Sequence, residues 1–416
     1  MNSSTNATYS LEEEDWEEFR NNGIPISVFL AVLCVVGTVG NVHVFLVYLL
    51  RYKSNIYKTF ILCLAAVDFL GCTFCIPASL YIIRHPNTLQ SSAFCKMSRA
   101  LTYFVGAYSL LLLDCIAVER YRKVCQATRA QFTLQMTRIV CVVVCLFVIV
   151  VITIPVVVIY GLNQKTTKAH SLIGYECTVL ELYKNSTLIK VYRGFVFFIF
   201  VLLLIISVVL YTLVGRKIYA AYKNKHRKTR TKSCMSEFKQ SSNKSISTQA
   251  CGNKNTDEGE TDDVTNSAAH VTSETHNHVM TSCPRDPDVK DNHSGDRSQQ
   301  STITGNTYLN ALNEKKRKKL ERSRNITMIF LVVSIMSFGG YLPYLLTTLI
   351  RNISRSLFEN IEKNNGALIF FIRWMVFFNN AINPIVYGFM DKKVRKELSH
   401  GYVKMMRCCF SCRNGY

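Results

Sequence analysis

Asn379-Asn380-Ala381-Ile382-Asn383-Pro384-Ile385-Val386-Tyr387 closes the last long apolar segment of the chain, 366–390. Amide side chains at membrane depth face the interior of a helix bundle or a wet cavity and usually mark a functional path. Proline frees a backbone carbonyl, which must find another partner. The stretch therefore predicts a membrane helix whose end carries polar machinery shared with other helices.

Six further apolar runs of bilayer-spanning length precede this segment. They cover about 26–50, 58–83, 95–118, 139–160, 191–214 and 325–350. We number the seven runs as spans one to seven in chain order. They exclude a soluble chain of two or three domains and predict an all-α integral membrane bundle of seven transmembrane helices, with the two termini on opposite sides.

Basic residues in short loops indicate which face is cytosolic, because such loops carry an excess of lysine and arginine. They follow spans one, three and five and precede span six, at Arg51, Lys53, Lys58, Arg122, Lys123, Arg129, Arg138, Arg216, Lys217 and 315–324. The acidic stretch 12–18 lies on the opposite face. We therefore expect the N terminus outside and the C terminus in the cytosol, and the net charge of +21 needs no nucleic-acid partner.

The chain divides into five parts on this topology. They are an acidic outer tail at 1–25, spans one to five with their loops at 26–215, a long cytoplasmic loop at 216–324, spans six and seven at 325–390, and an inner tail at 391–416. The polar middle of the long loop, about 233–312, is predicted to be disordered, with helical extensions of spans five and six beside it. Residues 391–406 predict a short amphipathic helix on the inner membrane surface.

Several residues are predicted to be modified. Sequons place glycosylation at Asn2, Asn6, Asn185 and Asn352. Of the 16 cysteines, Cys95 and Cys177 fall on the oxidising outer side and are expected to pair. Cys408 and Cys409 follow the amphipathic stretch and favour palmitoylation.

An ordered set of motifs resembles the rhodopsin-like (class A) family of G-protein-coupled receptors. The set comprises Asn41, Asp68, Glu119-Arg120-Tyr121, Asn383-Pro384-Ile385-Val386-Tyr387 and the pair Cys95 and Cys177, each in its expected span. The resemblance covers all seven spans. It implies a plasma-membrane receptor, not an enzyme, whose partners are an extracellular ligand, a heterotrimeric G protein, receptor kinases, arrestin and membrane lipid.

The resemblance also assigns roles at the inner half. Asp68, Ser109, Asn379 and Asn383 match the cluster that holds an allosteric sodium ion, the one cofactor considered; a water-filled polar network is the alternative. Glu119 would restrain Arg120 until activation. The switch residues are Glu119, Arg120, Tyr121, Tyr211, Tyr341, Pro343, Pro384 and Tyr387.

Four positions depart from the family pattern. Cys145 stands in place of a tryptophan in span four, and Leu203 in place of a proline in span five. In span six, Ser337 replaces phenylalanine and Tyr341 replaces tryptophan. The connection between the ligand pocket and Arg120 is thus expected to differ from that of other members.

The expected pocket excludes two ligand classes. Thr102 replaces the aspartate of amine receptors, and Phe377 replaces the lysine that binds retinal. A peptide remains favoured, because the acidic tail would steer a basic peptide and residues 170–190 alternate as in a hairpin lid. The pocket residues assigned by resemblance are Ser79, Thr102, Tyr103, Gly106, Glu176, Tyr344, Arg373 and Phe377.

Arg373 is the sharpest pocket candidate. It lies about 10 Å into span seven at helical rise, where it could meet a ligand carboxylate or amide carbonyl. The alternative is that it reaches outward or pairs with an outer acid such as Glu176.

Two other functions stay open. The first is a class A receptor for a small non-amine ligand such as a lipid, nucleotide or metabolite. The second is a seven-span transporter or channel; the sequence shows no internal repeat, and Asp68 is taken as the only carboxylate in mid-span.

Overall fold

The structure is a computed structural model that describes residues 11–167, 173–184, 186–248, 297–392, 394–397 and 399. Within these residues six helices are long and apolar enough to cross a membrane. They are Ile24–Arg51, Ile56–Arg84, Ser92–Cys125, Leu134–Ile159, Thr187–Lys223 and Glu321–Arg351. They correspond to spans one to six, and each is longer than the apolar run that predicted it because the helix continues into flanking polar residues.

Span seven is present and contains one tighter turn. The helix Arg355–Trp374 is followed by a tighter 3₁₀ turn, Met375–Phe377, and by the helix Phe378–Met390. Side chains three residues apart eclipse one another in a 3₁₀ turn, and the rings of Trp374 and Phe377 stack with their centroids 6.2 Å apart. The predicted span seven is therefore helical throughout 366–390, with a local tightening at Met375–Phe377.

Three helices contain a wide π-helical turn directly before an Ile-Pro pair. The turns are Phe19–Gly23, Gly71–Cys75 and Ile149–Thr153, and Pro25, Pro77 and Pro155 follow them. Proline has no N–H to donate and its ring crowds the preceding turn, so the helix widens there. Span two accordingly consists of Ile56–Leu70 and Ile76–Arg84, and span four of Leu134–Val148 and Ile154–Ile159.

Polar side chains fix where several helices begin. In each case the residue before the first turn accepts a hydrogen bond from a backbone N–H that the helix itself leaves unpaired. The pairs are Asn55 with Lys58, Ser91 with Phe94, Thr133 with Met136, and Ser354 with Leu357.

A hairpin follows span four. Strands β1, Tyr160–Thr166, and β2, Ile173–Val179, pair antiparallel, with Tyr160 opposite Val179 and Leu162 opposite Cys177. The predicted hairpin is confirmed, although its first strand begins at the end of the predicted span four rather than in 170–190. A short helix, Glu181–Lys184, leads from β2 towards span five.

Residues 221–319 form a separate unit. In it the helix Thr187–Thr248 ends and the helix Arg297–Ile353 begins. Disorder had been predicted over 233–312, but residues 233–248 and 297–312 are helical. Extending a helix needs no new nucleus, so the helices of spans five and six continue into these residues. Residues 249–296 lie outside the described residues, and disorder there stays a prediction.

The inner tail is described only at its start. Residues 394–397 are helical, and Val394 is fully buried in the main core. The remainder of the predicted amphipathic helix lies outside the described residues.

Candidate functional site

The carboxylate of Asp68 is the centre of a buried polar cluster. The Ser109 hydroxyl donates to its Oδ1 at 3.2 Å, and Nδ2 of Asn383 donates to its Oδ2 at 2.6 Å. Asn41 donates to the backbone carbonyl of Asn380 at 2.8 Å. Spans one, two, three and seven therefore meet through polar contacts, and three of the four residues assigned to a sodium site lie together.

Asn379, the fourth residue of that set, is bonded to span six. Its side-chain carbonyl accepts a hydrogen bond from the Ser337 hydroxyl, and within the described part of the chain no hydrogen bond joins Asn379 to Asp68. Both Asn379 and Ser337 are fully buried. Ser337, which replaces the family's phenylalanine, thus has a hydrogen-bond partner in span seven. The sequence did not predict this pair.

Phe338, the neighbour of Ser337, supplies an aromatic ring to the region between the expected ligand pocket and Arg120. Its ring packs on Phe200 with centroids 5.6 Å apart, in a buried cluster that includes Leu110. Leu203 packs against the same cluster. The leucine in place of proline in span five therefore serves apolar packing.

Tyr341, which stands where the family has tryptophan, lies beside a glycine. A Cβ on Gly106 would lie 2.8 Å from the hydroxyl oxygen of Tyr341, closer than such atoms approach one another. Gly106 thus belongs to the wall that admits Tyr341, and Pro343 lies inside the same span-six helix.

The end of span three that is predicted to be cytosolic holds a closed ion pair. We call this predicted cytosolic side of the bundle the inner end and the opposite side the outer end. The Arg120 guanidinium contacts the Glu119 carboxylate, with side chains 1% and 4% exposed. Lys123 lies 3.7 Å from the other carboxylate oxygen of Glu119. Tyr211, within electrostatic reach of Arg120, accepts a hydrogen bond from Ser334 at 3.2 Å. The contact between Glu119 and Arg120 expected from the motif is present, and its role as a restraint on activation stays a prediction.

The inner end of span seven packs on span one. Pro384 lies inside its helix against Gly40, where a Cβ would come within 2.6 Å of the proline ring. Tyr387 is fully buried and meets the edge of Tyr48 at 6.5 Å between centroids. The third motif residue of span three, Tyr121, accepts a hydrogen bond from Gln126 at 3.3 Å.

Three tyrosine hydroxyls meet near the outer end. The hydroxyl of Tyr103 in span three lies 3.0 Å from that of Tyr160 in β1 and 3.0 Å from that of Tyr344 in span six. Two predicted pocket residues, Tyr103 and Tyr344, are thus brought together with Tyr160, which was not predicted. The predicted Arg373 and the unpredicted Arg99 lie within electrostatic reach of Tyr344.

Other predicted pocket residues use their polar groups within their own helices. The Ser79 hydroxyl donates to the Cys75 carbonyl and the Thr102 hydroxyl to the Ser98 carbonyl, both at 2.8 Å. Phe377 is buried in the main core. Their role in ligand binding stays a prediction.

The outer hairpin is tied to span three. Cys95 and Cys177 form a disulfide with 5.5 Å between the Cα atoms, which confirms the predicted pairing. Glu176 forms an ion pair with Lys165 across the hairpin at 3.7 Å, with both side chains 36% exposed. The carboxylate of Glu176 therefore has a partner within the hairpin itself.

The acidic tail is docked by a residue that sequence reasoning did not single out. Residues 11–18 are helical, and Asp15 is fully buried. Its carboxylate accepts four hydrogen bonds, of 2.5 to 3.1 Å, from the backbone and side chains of Asn87 and Thr88. The N–H of Tyr175 in β2 donates to the Asn87 carbonyl at 2.7 Å. The N-terminal helix, the loop after span two and the hairpin are therefore joined by hydrogen bonds.

A second carboxylate lies in mid-span. Asp114 in span three accepts a hydrogen bond from Ser207 in span five, and the two residues are 6% and 3% exposed. The statement that Asp68 is the only mid-span carboxylate was wrong. Asp114 could have been found from its place inside the apolar run 95–118, but its partner could not.

The predicted modification sites are not tested by the geometry. Asn2, Asn6, Asn185, Cys408 and Cys409 lie outside the described residues, as does the side chain of Asn352.

The structure is that of a multi-pass membrane protein of receptor architecture. It combines helices of membrane length with a closed ion pair inside span three, a buried polar cluster and an outer hairpin tied by a disulfide. A family model described as "7 transmembrane receptor (rhodopsin family)" matches residues 40–387. The chain belongs to this family, and the predicted resemblance is confirmed.

Individual relatives are also receptors. The chain is 24% identical to the human cholecystokinin receptor type A over 392 residues, which cover 91% of this chain and 79% of the relative. It is 21% identical to the Xenopus laevis cholecystokinin receptor over an alignment of 449 residues, covering 99% and 87%. A galanin-like G-protein coupled receptor of Caenorhabditis elegans is 28% identical over 208 residues, covering 48% and 47%.

Proposed function

We propose that the protein is a plasma-membrane receptor, with its N terminus outside and its C terminus in the cytosol, that binds an extracellular peptide and activates a heterotrimeric G protein. The observation that carries this proposal is the outer hairpin, whose Tyr160 joins Tyr103 and Tyr344 of the bundle. Backbone edges and side-chain pockets are the features by which peptides are recognised. The names of the cholecystokinin and galanin-like relatives agree with a peptide ligand.

The charges around the tyrosine trio support a division of labour in recognition. Arg373, which like Arg99 lies within electrostatic reach of Tyr344, would meet a carboxylate or an amide carbonyl of the ligand. Glu12 and Glu13 are exposed on the N-terminal helix and would steer a basic segment of the same peptide by long-range attraction. Because Asp15 is buried, the steering charge comes from the glutamates.

Signalling would follow from differential stabilisation of a second arrangement of the bundle. Glu119 contacts Arg120 and would restrain it, and an agonist would favour the arrangement in which Arg120 is released to the G protein. Receptor kinases, arrestin and membrane lipid complete the proposed partners, and the receptor catalyses no covalent reaction itself.

The test is a screen in cells with two libraries, one of peptides and one of small metabolites, read by second-messenger signalling. A peptide should activate the wild type, and Arg373→Ala should weaken that response at equal surface expression. Lys184→Ala is the matched control, because Lys184 is an outer cation that pairs with Glu181 on its own helical turn. If small metabolites alone elicit signalling and Arg373→Ala responds normally, the peptide proposal fails and the small non-amine ligand replaces it.

We also propose a sodium site at Asp68. Its carboxylate, the Ser109 hydroxyl and the Asn383 side-chain oxygen, a buried atom with no protein partner, form a set of hard oxygen donors that fits a sodium ion. Asn379 is not part of this set, because its carbonyl is bonded to Ser337. The purified receptor should unfold at a higher temperature in sodium chloride than in choline chloride, and Asp68→Asn should abolish the difference. An equal sodium effect in that variant would remove the assignment.

A transporter or channel is the remaining alternative, and Asp114 gives it a second buried carboxylate. In proteoliposomes, substrate uptake or current that survives Arg120→Ala would support transport. G-protein activation that Arg120→Ala abolishes would support the receptor.

A further inference from the structure

Three tyrosine hydroxyls converge on one carboxylate at the inner face. Tyr48 donates to Oδ2 of Asp391 at 2.6 Å, Tyr52 to both oxygens at 3.1 Å, and Tyr57 to Oδ2 at 3.2 Å. The hydroxyls of Tyr48 and Tyr57 also lie 2.8 Å apart. The tyrosines are 0%, 7% and 6% exposed. We call these four residues the Asp391 cluster.

In the Asp391 cluster the tyrosine hydroxyls are the hydrogen-bond donors and the carboxylate is the acceptor. Tyr52 lies just after span one, and burial together with the neighbouring Asp391 carboxylate raises its pKa. It therefore keeps its proton, and remains a donor, throughout the physiological pH range. A carboxylate that accepts several phenol protons forms charge-assisted hydrogen bonds, which are about twice as strong as neutral ones.

Asp391 stands where span seven ends. Its N–H donates to the carbonyl of Tyr387 at 2.9 Å, and its own carbonyl accepts from the N–H of Arg395 at 3.0 Å. Its backbone is extended, between the helix Phe378–Met390 and the helical residues 394–397. A side chain held at this junction fixes the end of span seven against spans one and two.

The cluster also reaches the parts of the bundle assigned to switching. Tyr48 meets Tyr387 edge-on at 6.5 Å between centroids, and Tyr57 meets Phe330 of span six edge-on at 5.5 Å. Phe330 is 1% exposed and Tyr387 is 0% exposed. A displacement of either ring would disturb the hydrogen bonds to Asp391, because closely packed interiors transmit small shifts.

We propose that the Asp391 cluster is a second restraint on the inner face, which holds Tyr387 and span six in the arrangement in which Glu119 retains Arg120. Asp391 is then a positioning residue for nucleotide exchange on the G protein. The proposal rests on the G-protein coupling proposed above. It predicts that the cluster opposes activation even though it contains neither residue of the ion pair.

The test measures basal nucleotide exchange, which needs no agonist. Wild type and variants are reconstituted in lipid nanodiscs with a heterotrimeric G protein, and binding of a non-hydrolysable GTP analogue is followed per folded receptor. Asp391→Asn should raise the basal rate about fivefold or more, the lower end of usual coupling between sites, since its amide nitrogen cannot accept from a phenol. Tyr52→Phe removes one donor and no charge, so it should give a smaller rise in the basal rate. It is the variant that tests the proposal if Asp391→Asn folds poorly.

The matched control is Glu397→Gln. Glu397 belongs to the helical residues 394–397 that follow Asp391. It pairs with Arg51 of span one at 3.5 Å, but the Arg51 side chain is 67% exposed. Exposed ion pairs contribute little, so the basal rate of this variant should equal that of the wild type. An unchanged or lower rate in Asp391→Asn, or an equal rise in Glu397→Gln, overturns the proposal.

Hydrogen–deuterium exchange separates this proposal from the one on which it rests. Backbone amides over 326–335 and 385–392 should exchange faster in Asp391→Asn than in the wild type and Glu397→Gln. If wild type activates none of the G proteins but this difference is found, the coupling fails and the restraint stands. If both windows exchange equally in all three proteins, the restraint is overturned.

Discussion

Replacing Ser207 with alanine removes the hydroxyl that donates to the Asp114 carboxyl between spans three and five. Both residues are less than one-tenth exposed, and Oδ2 of Asp114 has no protein partner. The variant therefore leaves a buried carboxyl with neither oxygen bonded to protein. The alanine side chain would fill nearly the same space as the serine, so the change acts mainly through the lost hydrogen bond.

The size of the effect follows from two limits. An unsatisfied buried partner costs about 1–3 kcal/mol in protein interiors, whereas hydrogen bonds between membrane helices average about 0.6 and reach about 1.7 kcal/mol, because the separated helices also find partners. We expect Ser207→Ala to cost about 1–2 kcal/mol. At about 2–4 °C per kcal/mol for chains somewhat smaller than this one, the unfolding midpoint should fall by about 2–8 °C.

The midpoint is measured by heating the purified receptor and quantifying the monomer that remains by size-exclusion chromatography. Thr212→Ala is the control, since that exposed span-five hydroxyl bonds to the Val208 carbonyl of its own helix. The double variant Asp114→Leu with Ser207→Ala should be more stable than Ser207→Ala, because an apolar side chain leaves no unpaired polar group. A Ser207→Ala midpoint equal to that of Thr212→Ala would refute the argument.

Three further outcomes follow from the same contacts. Glu119→Gln should raise basal GTP-analogue binding about tenfold by weakening the hold on Arg120; an unchanged rate would contradict the restraint. Gly106→Ala should lower the yield of folded receptor on size-exclusion, because its Cβ would meet the Tyr341 hydroxyl at 2.8 Å, and adding Tyr341→Phe should recover part of it; no recovery would locate the defect elsewhere. Asp15→Asn should speed hydrogen–deuterium exchange over 173–179, since one acceptor oxygen replaces two, and unaltered exchange there would show that the hairpin holds without it.

The bundle and part of its site were predictable because their signals are local or fixed by motif. A long apolar run indicates a membrane helix wherever it occurs. The alternating pattern of residues in the loop after span four indicated the hairpin. Asp68, Ser109 and Asn383 were grouped correctly because the motif places each at a known height on its helix. Asn379 was grouped with them by the same motif, but Ser337, which departs from it, bonds to Asn379 instead.

The remaining contacts depend on partners that only folding brings together. Asp15 bonds to residues 72 and 73 positions away, Asp114 to one 93 away, and Asp391 to Tyr48 across 343 positions. Asp15 and Asp391 are ordinary acidic residues in the sequence. Asp114 is marked by its place in an apolar run, but nothing in the sequence indicates its partner. The tightening at Met375–Phe377 was equally hidden, since that stretch contains neither proline nor glycine.

Three buried or half-buried carboxylates together join most of the bundle. Asp68 joins spans two, three and seven, Asp114 joins three and five, and Asp391 joins the end of seven to spans one and two. Among the described residues, span six is held differently, by the hydroxyls of Ser334, Ser337 and Tyr344 and by apolar packing around Phe338. Because hydrogen bonds between neutral groups are weaker than those to a carboxylate, span six is expected to resist displacement less than the spans that these carboxylates join. A ligand that contacts Tyr344, two turns from Ser337 on the same helix, would therefore act on one of the less firmly held spans. The altered connection between the ligand pocket and Arg120 is thus compatible with signalling through span six.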